Sequence, residues 1–267
     1  MWKEVQVDNW QQFMEYISGL RLNDWIYRGQ RSSSWNLQSS LYREITSFHE
    51  NLDNKKCMKY EEQMIKEYYG SSPLYSPYEL KEPRTDDSPQ RFNYRLETLS
   101  IMQHYGAPTR LLDWTYSPYI AAFFALDGAI EDFSIFALNV KELENFDKER
   151  FDENYSKIKQ RIFSRIMKHN KHFIFSFEPF QKNERIRRQQ GLFIVPSVIN
   201  KTFDEILNEY SIVDGKLNKK FVAIKLIFKK DAIKEYWLNL RRMNITHETI
   251  YPGFEGFCKA LKLNIFN

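Results

Sequence analysis

The ten residues Ser117 to Leu126 (Ser-Pro-Tyr-Ile-Ala-Ala-Phe-Phe-Ala-Leu) carry no charge and open on a helix-start signal. A serine side chain there can accept from a backbone N–H of the first turn, and a proline at the first helical position gives up no hydrogen bond. The segment that follows is apolar on every side, so the helix has no face to give to water and must lie inside. The rest of the chain has to build layers around it. The stretch feeding this helix is Thr109 to Thr115. Its alternation reads as a strand, with Arg110, Leu112 and Trp114 on one face and Thr109, Leu111 and Asp113 on the other. A strand running into a buried helix through Asp-Trp-Thr-Tyr-Ser-Pro sets Arg110 and Asp113 near the middle of the protein. Two buried opposite charges are costly unless they pair or serve a ligand. An Arg110–Asp113 network locking the turn and the floor of a binding site are both open readings.

Upstream, Asn93 to Tyr105 reads as a helix with Leu96, Leu99, Ile101 and Met102 as its buried stripe. Gly106 suits the left-handed position just past its end, and Pro108 stops any continuation. His104 falls in the last turn, where the helix dipole favours an imidazolium. It reads either as a cap or as a site residue. Trp25 to Gly29 reads as a short strand in which Ile26 and Arg28 share one face and Trp25 and Tyr27 the other. An arginine at the tip of an apolar strand, with a glycine after it, holds a guanidinium where the backbone leaves room for a ligand. A plain surface arginine is the alternative.

The remaining periodicities predict helices over Asn9 to Ile17, within Tyr42 to Tyr69, through much of Lys141 to Lys171, and over Asp231 to Arg242. Strands are predicted over Phe133 to Val140, Phe173 to Phe177, Gly191 to Pro196 and Phe221 to Phe228. Gln189 and Gln190, at the start of the Gly191 strand, are neutral hydrogen-bonding groups suited to an amide or a ribose. Gly70 to Pro89 holds Pro73, Pro77, Pro83 and Pro89 and reads as an insertion loop. The expected organisation is one domain over 1–267, with a Pro-rich insertion around 70–92 and a basic helical insertion around 141–188. Its fold class is α+β: a central, mostly antiparallel sheet split around the helix Ser117 to Leu126, with helices outside.

The chain has 267 residues, 42% of them apolar and 16% aromatic, which suits a packed core rather than disorder. A net charge of +4 does not by itself announce nucleic acid. Yet Lys157 to Arg188 holds ten Lys and Arg against two acidic residues, which leaves the remainder of the chain acidic. Such a block is either a solvated face or an electrostatic seat for phosphates. Cys57 and Cys258 have no metal-type spacing, and the five histidines (49, 104, 169, 172, 247) are scattered, so no metal site is expected. Glycine-rich phosphate loops, dinucleotide fingerprints and Gly-x-Ser-x-Gly elbows are absent. Without an apolar signal core or a membrane-length apolar run, the expectation is a cytoplasmic protein with no membrane partner.

Tyr27-Arg28-Gly29-Gln30 resembles the signature of the FRG domain. The likeness continues through Gln103-His104-Tyr105-Gly106-Ala107-Pro108-Thr109-Arg110-Leu111-Leu112-Asp113-Trp114-Thr115, then Ser117-Pro118 and Ala121 to Ala125. It extends to Arg187, Gln190, Gly191 and Phe193 and to Tyr251-Pro252-Gly253-Phe254-Glu255-Gly256, in order over roughly residues 10 to 265. A second likeness is to arginine-type ADP-ribosyltransferases, whose first-strand arginine supports NAD. It implies an ADP-ribosyltransferase-like fold, NAD as substrate, and ADP-ribose transfer to a macromolecule by a toxin or phage-defence effector, with an antitoxin or defence-system protein as partner.

On that resemblance the catalytic set is Arg28, Glu255, Gln190 and Asp113. The NAD-binding set is Tyr27, Arg28, Gly29, Gln30, His104, Tyr105, Thr109, Arg110 and Trp114, with Tyr105 or Trp114 stacking on nicotinamide. The Lys157 to Arg188 block would seat a nucleic-acid target. One departure stands out. Gln190 occupies roughly the place of the family's catalytic glutamate, and a glutamine cannot stabilise a cationic transition state by charge. Glu255 or Asp113 would have to supply the carboxylate. Otherwise the protein is a non-catalytic module that binds a nucleotide or nucleic acid.

Overall fold

A computed structural model describes residues 2–51, 53–75, 89–151, 154–163, 172–213, 216–217 and 223–262. Most of the Pro-rich stretch (76–88) and the centre of the basic segment (164–171) lie outside the described residues. In chain order the elements are β1 (Lys3–Val7), α1 (Trp10–Ser18), β2 (Trp25–Gln30), α2 (Ser40–Phe48), α3 (Asn54–Ser71) and α4 (Pro89–His104). Next come β3 (Leu112–Thr115), α5 (Pro118–Leu126), β4 (Phe133–Asn139), α6 (Val140–Phe151), α7 (Tyr155–Gln160), β5 (Ile174–Phe177), α8 (Glu184–Arg188) and β6 (Gly191–Pro196). The chain continues through α9 (Phe203–Ser211), β7 (Ile212–Val213), β8 (Lys216–Leu217), β9 (Ala223–Phe228), α10 (Ile233–Arg242), α11 (His247–Ile250) and α12 (Gly253–Ala260).

Seven strands form one open sheet in the order β1-β9-β4-β2-β3-β6-β5. Among the described strands of this sheet only β1 and β9 run parallel, and every other neighbouring pair is antiparallel. This mixed α/β architecture with a mostly antiparallel sheet agrees with the α+β expectation. β7 and β8 make a separate two-stranded ribbon.

The period-2 alternation of the strands sorts the core into two layers. Ile26, Phe136, Leu138, Trp114 and Leu192 pack on one side with Leu96 and Leu99 of α4 and Ile206 of α9. Trp25, Tyr27, Ile135 and Ala137 pack on the other side with α5, Phe13 of α1 and Tyr236 of α10. Helix α5 is apolar all round because it is covered twice. It lies on β2 and β4, and its outer side meets α10 and the C-terminal helices, with the Phe123 ring 5.6 Å from Trp237 and 4.8 Å from His247. Ser117 caps it as expected, accepting from the Ile120 N–H at 3.3 Å.

Asn9 likewise caps α1, accepting from the Gln12 N–H at 2.9 Å. Gly106 closes α4 with φ +90, which lets Ala107 donate back to the Met102 carbonyl at 2.9 Å. β1, paired with β9, and α9, whose Phe203, Ile206, Leu207 and Tyr210 pack under the sheet, are not among the predicted elements. The strand read from Thr109 begins only at Leu112. Thr109 turns its hydroxyl back to the Leu111 N–H at 3.1 Å and gives its own backbone to Ser40 and Leu41, leaving nothing for a ladder.

Candidate functional site

β2 is paired with β4 along its whole length, from Trp25↔Asn139 to Gln30↔Ser134. With β3 it shares a single register pair, Tyr27↔Thr115. Beyond that pair the two strands part, and a cavity of about 1050 Å³ opens where the ladder would have continued. Local packing fixes the parting. Gly29 lets α5 press onto β2, while Thr115 is held toward the start of β6, its hydroxyl donating to the Gln189 carbonyl at 2.7 Å. Tyr116 follows it, its N–H donating to the Gln190 carbonyl at 3.1 Å.

Arg28 spans the gap. Its Nη1 donates to the Asp113 carbonyl at 2.5 Å, so the guanidinium replaces backbone pairing between the parted strands. Burial pushes its pKa down; the Asp113 carboxylate opposes that shift and Arg43 adds to it. Asp113 itself is exposed and accepts from Gln103 Nε2 at 2.8 Å, while Gln103 Oε1 accepts from the Thr109 hydroxyl.

Seven of the sequence-derived residues line this cavity: Tyr27, Arg28, Gly29, Gln30, His104, Asp113 and Trp114. Gln190 does not line it, but holds a left-handed φ of +46 between Gln189 and Gly191, which do. Four others stand elsewhere. Tyr105 is 69% exposed and off the wall. Thr109 and Arg110 are fully enclosed behind it. Glu255 sits in the first turn of α12, paired with Lys259 at 2.6 Å, and its carboxyl is held low by that lysine.

The expected Arg110–Asp113 network does not form. Arg110 is bidentate to Glu61 of α3, with Nε donating at 2.7 Å and Nη2 to the second oxygen, and Nη1 reaches the Pro196 carbonyl at 3.3 Å. Its guanidinium also lies over the Phe163 ring at 5.1 Å. It is a core ion pair, and Asp113, far from being buried beside it, faces outward.

His104 also departs from its expectation. Burial and the neighbouring Arg185 push its pKa down, against the opposing charge of Glu255, so the imidazolium that the helix dipole would favour is disfavoured.

Several wall residues had no signal in the motifs: Arg31, Arg43, Asp127 and Arg185; Tyr251, which opens the last motif, lines the wall although it was given no role there. Arg31 lies over Trp35 at 5.7 Å, and Arg185 lies over Tyr251 at 4.9 Å. In the described part of the basic segment, Arg185 and three further cations are engaged. Lys159 lies over Tyr155 and Phe175 at 5.6 and 5.5 Å, and Lys182 and Arg188 pair with Glu178 and Glu184. Arg165, Lys168 and Lys171 lie outside the described residues. Among the described residues no group of three or more His, Cys, Asp or Glu could hold a metal ion, and no helix is long and apolar enough to cross a membrane.

Four buried polar atoms on the cavity-lining residues have no hydrogen-bond partner among the described residues: Arg28 Nε, Gln30 Oε1, Trp114 Nε1 and Gln189 Nε2. An unmade hydrogen bond of this kind costs about 1–3 kcal/mol. Three donors and one acceptor, unsatisfied and enclosed on residues that line a single cleft, fit a wall shaped for a polar ligand.

Compared with known families, residues 23–133 match the FRG domain, a span that holds both parted strands and α5. No curated protein and no solved structure matches the chain.

Proposed function

We propose that the cleft binds NAD and that the protein transfers ADP-ribose from it to a macromolecule: residues 23–133 match the FRG domain, and the parted strands bound a cleft whose lining residues hold unsatisfied polar groups. The four unpartnered polar atoms on Arg28, Gln30, Trp114 and Gln189 carry this reading. A guanidinium suits a pyrophosphate, and side-chain amides suit a carboxamide or a ribose. In the reaction nicotinamide leaves the ribose carbon with the bonding electrons. The acceptor's nucleophilic atom forms the new bond and gives up its proton. Asp113, the exposed carboxylate held by Gln103, is placed on the wall to stabilise the positive charge that develops on the sugar.

A second reading has its own observation. The wall residues include no glutamate, and Glu255 is engaged with Lys259 off the wall. A nucleotide-binding module without turnover fits that arrangement. Nicotinamide release from NAD, measured with RNA, DNA and protein acceptors, separates the two. Under the transferase reading the wild type releases nicotinamide, Arg28→Ala weakens NAD binding about tenfold or more, and Asp113→Asn binds NAD but turns over more slowly. NAD binding with no release under any acceptor would leave the binding module standing, absence of NAD binding would remove the transferase reading, and absence of binding to NAD, other nucleotides and RNA would remove both.

A further inference from the structure

Asp127 caps the C-terminus of α5 and lines the cavity together with Arg31, Phe124 and Tyr251. A carboxylate at that end of a helix faces the negative pole of the dipole, so helix stability does not ask for it. It is held nonetheless. His247 Nε2 donates to its Oδ1 at 3.0 Å and Lys262 Nζ binds the same oxygen, while Oδ2 has no hydrogen bond among the described residues. Burial would raise the Asp127 pKa, but the bonds from His247 and Lys262 and the charge of Lys262 outweigh it and hold the carboxyl well below the usual range.

His247 is wholly enclosed, stacked on Trp237 at 5.5 Å with an interplanar angle of 23° and set edge-on to Phe123. Among the described residues its Nδ1 has no partner, and its one side-chain hydrogen bond there runs to the cavity carboxylate. An imidazole so placed serves to aim Asp127. Beside it, Gly128 with φ +88 makes room for Arg31, whose Nη1 would stand 3.2 Å from a Cβ there. Among the described residues no ion pair joins Arg31 to Asp127, so an anchored acceptor and a cation border the same space without cancelling each other.

We propose that Asp127 Oδ2 is the seat for the vicinal hydroxyls of a ribose in the bound nucleotide, that Arg31 takes the attached phosphate, and that His247 is the positioning residue for the carboxylate. The inference rests on the cleft being a nucleotide site, as proposed above, and adds which residues recognise the sugar. A charged acceptor on a diol gains two charge-assisted hydrogen bonds that a dideoxy sugar cannot make.

Calorimetric titration with NAD first tests the cleft itself, and titration with ADP and 2′,3′-dideoxy-ADP then tests the sugar seat. The wild type should prefer ADP by about tenfold or more. Asp127→Asn, which keeps shape and an acceptor for His247, should weaken ADP and leave the dideoxy analogue unchanged, so the preference collapses. His247→Phe, which fills the aromatic box without a donor, should reduce the preference, and His247→Gln should restore part of it. Arg28→Ala should weaken both analogues alike. Melting temperatures establish that each variant is folded. NAD binding without an ADP preference, or a preference that survives Asp127→Asn, would overturn the sugar seat while leaving the NAD reading intact. If NAD itself does not bind, both fall together.

Discussion

Gly29 and Ala121 meet backbone to backbone: a Cβ on Gly29 would stand 2.0 Å from the Ala121 carbonyl oxygen and 2.5 Å from the Ala125 nitrogen. Neither contact belongs to a flexible side chain that could swing aside. The glycine of the Tyr-Arg-Gly-Gln signature therefore fixes the distance between β2 and α5, and with it the wall of the cleft.

Gly29→Ala should accordingly cost about 3 kcal/mol or more, because the helix must back away from the sheet. Gly70→Ala, near the end of α3 with nothing within 4 Å of the added methyl, is the matched control. It should be neutral or gain up to about 1 kcal/mol from helix propensity. Urea unfolding of the two variants measures the contrast, and equal stabilities would refute the close-packing account.

Arg110→Met should destabilise by about 3–5 kcal/mol, since it strands the Glu61 carboxylate in the core. Adding Glu61→Leu should recover most of that loss. Because neither side chain lines the cavity, ligand affinity of the double variant should match the wild type. A double-mutant cycle read by denaturant melts, with ligand titration on the double variant, checks both halves.

Asp147 on α6 is fully enclosed, with Oδ2 accepting from the Tyr210 hydroxyl at 2.9 Å and Oδ1 without a hydrogen bond among the described residues. Burial pushes its carboxyl from 3.8 up to about 7, against the Tyr210 bond and the Arg150 charge. A raised acid pKa means the folded state holds the proton that the unfolded chain releases. Its contribution is therefore fully present below about pH 4 and is lost as pH rises toward 7. The loss is on the order of 4 kcal/mol. Asp147→Asn should be the more stable protein at neutral pH, with the difference shrinking on acidification. A wild-type stability curve parallel to the variant's from pH 4 to 7 would contradict this.

Gln189→Leu should leave the ligand-free protein as stable or about 1 kcal/mol more so, since it removes an unpartnered buried amide N–H. The same change should weaken nucleotide binding about tenfold. Melting curves with and without NAD would show opposite signs for the two effects, and a loss of stability without ligand would argue that the amide is satisfied within the protein.

The features legible in the sequence are those whose causes lie within a few residues. Asn9, the Ser117-Pro118 pair and Gly106 each act on backbone groups of their own turn, and the strands at Trp25, Phe133 and Gly191 follow from short runs of apolar, β-branched and aromatic residues. What pattern could not supply was the partner. Arg110 and Asp113 share a strand motif, yet the partner of Arg110 lies 49 residues upstream on α3, and that distance turns a suspected site residue into core. Asp127 and His247 meet across 120 residues, and Asp127 shows in the sequence only as the first charge after a long uncharged helix. The seven site residues that do converge come from two motifs whose strands are adjacent in the sheet.

The parallel pairing of β1 with β9 has a consequence for how the chain is made. Glu4 and Lys225, register partners 221 residues apart, also bind through their side chains at 3.2 Å. At ribosomal speeds of about 5–20 residues per second, β1 waits roughly 10–40 s for the strand it pairs with. Throughout that interval it is an open edge, and the charges of Lys3 and Glu4 guard it against pairing with a neighbouring nascent chain. Once β9 arrives, β1 pairs along its flank, so the earliest-made strand of this sheet is among the last to take its place.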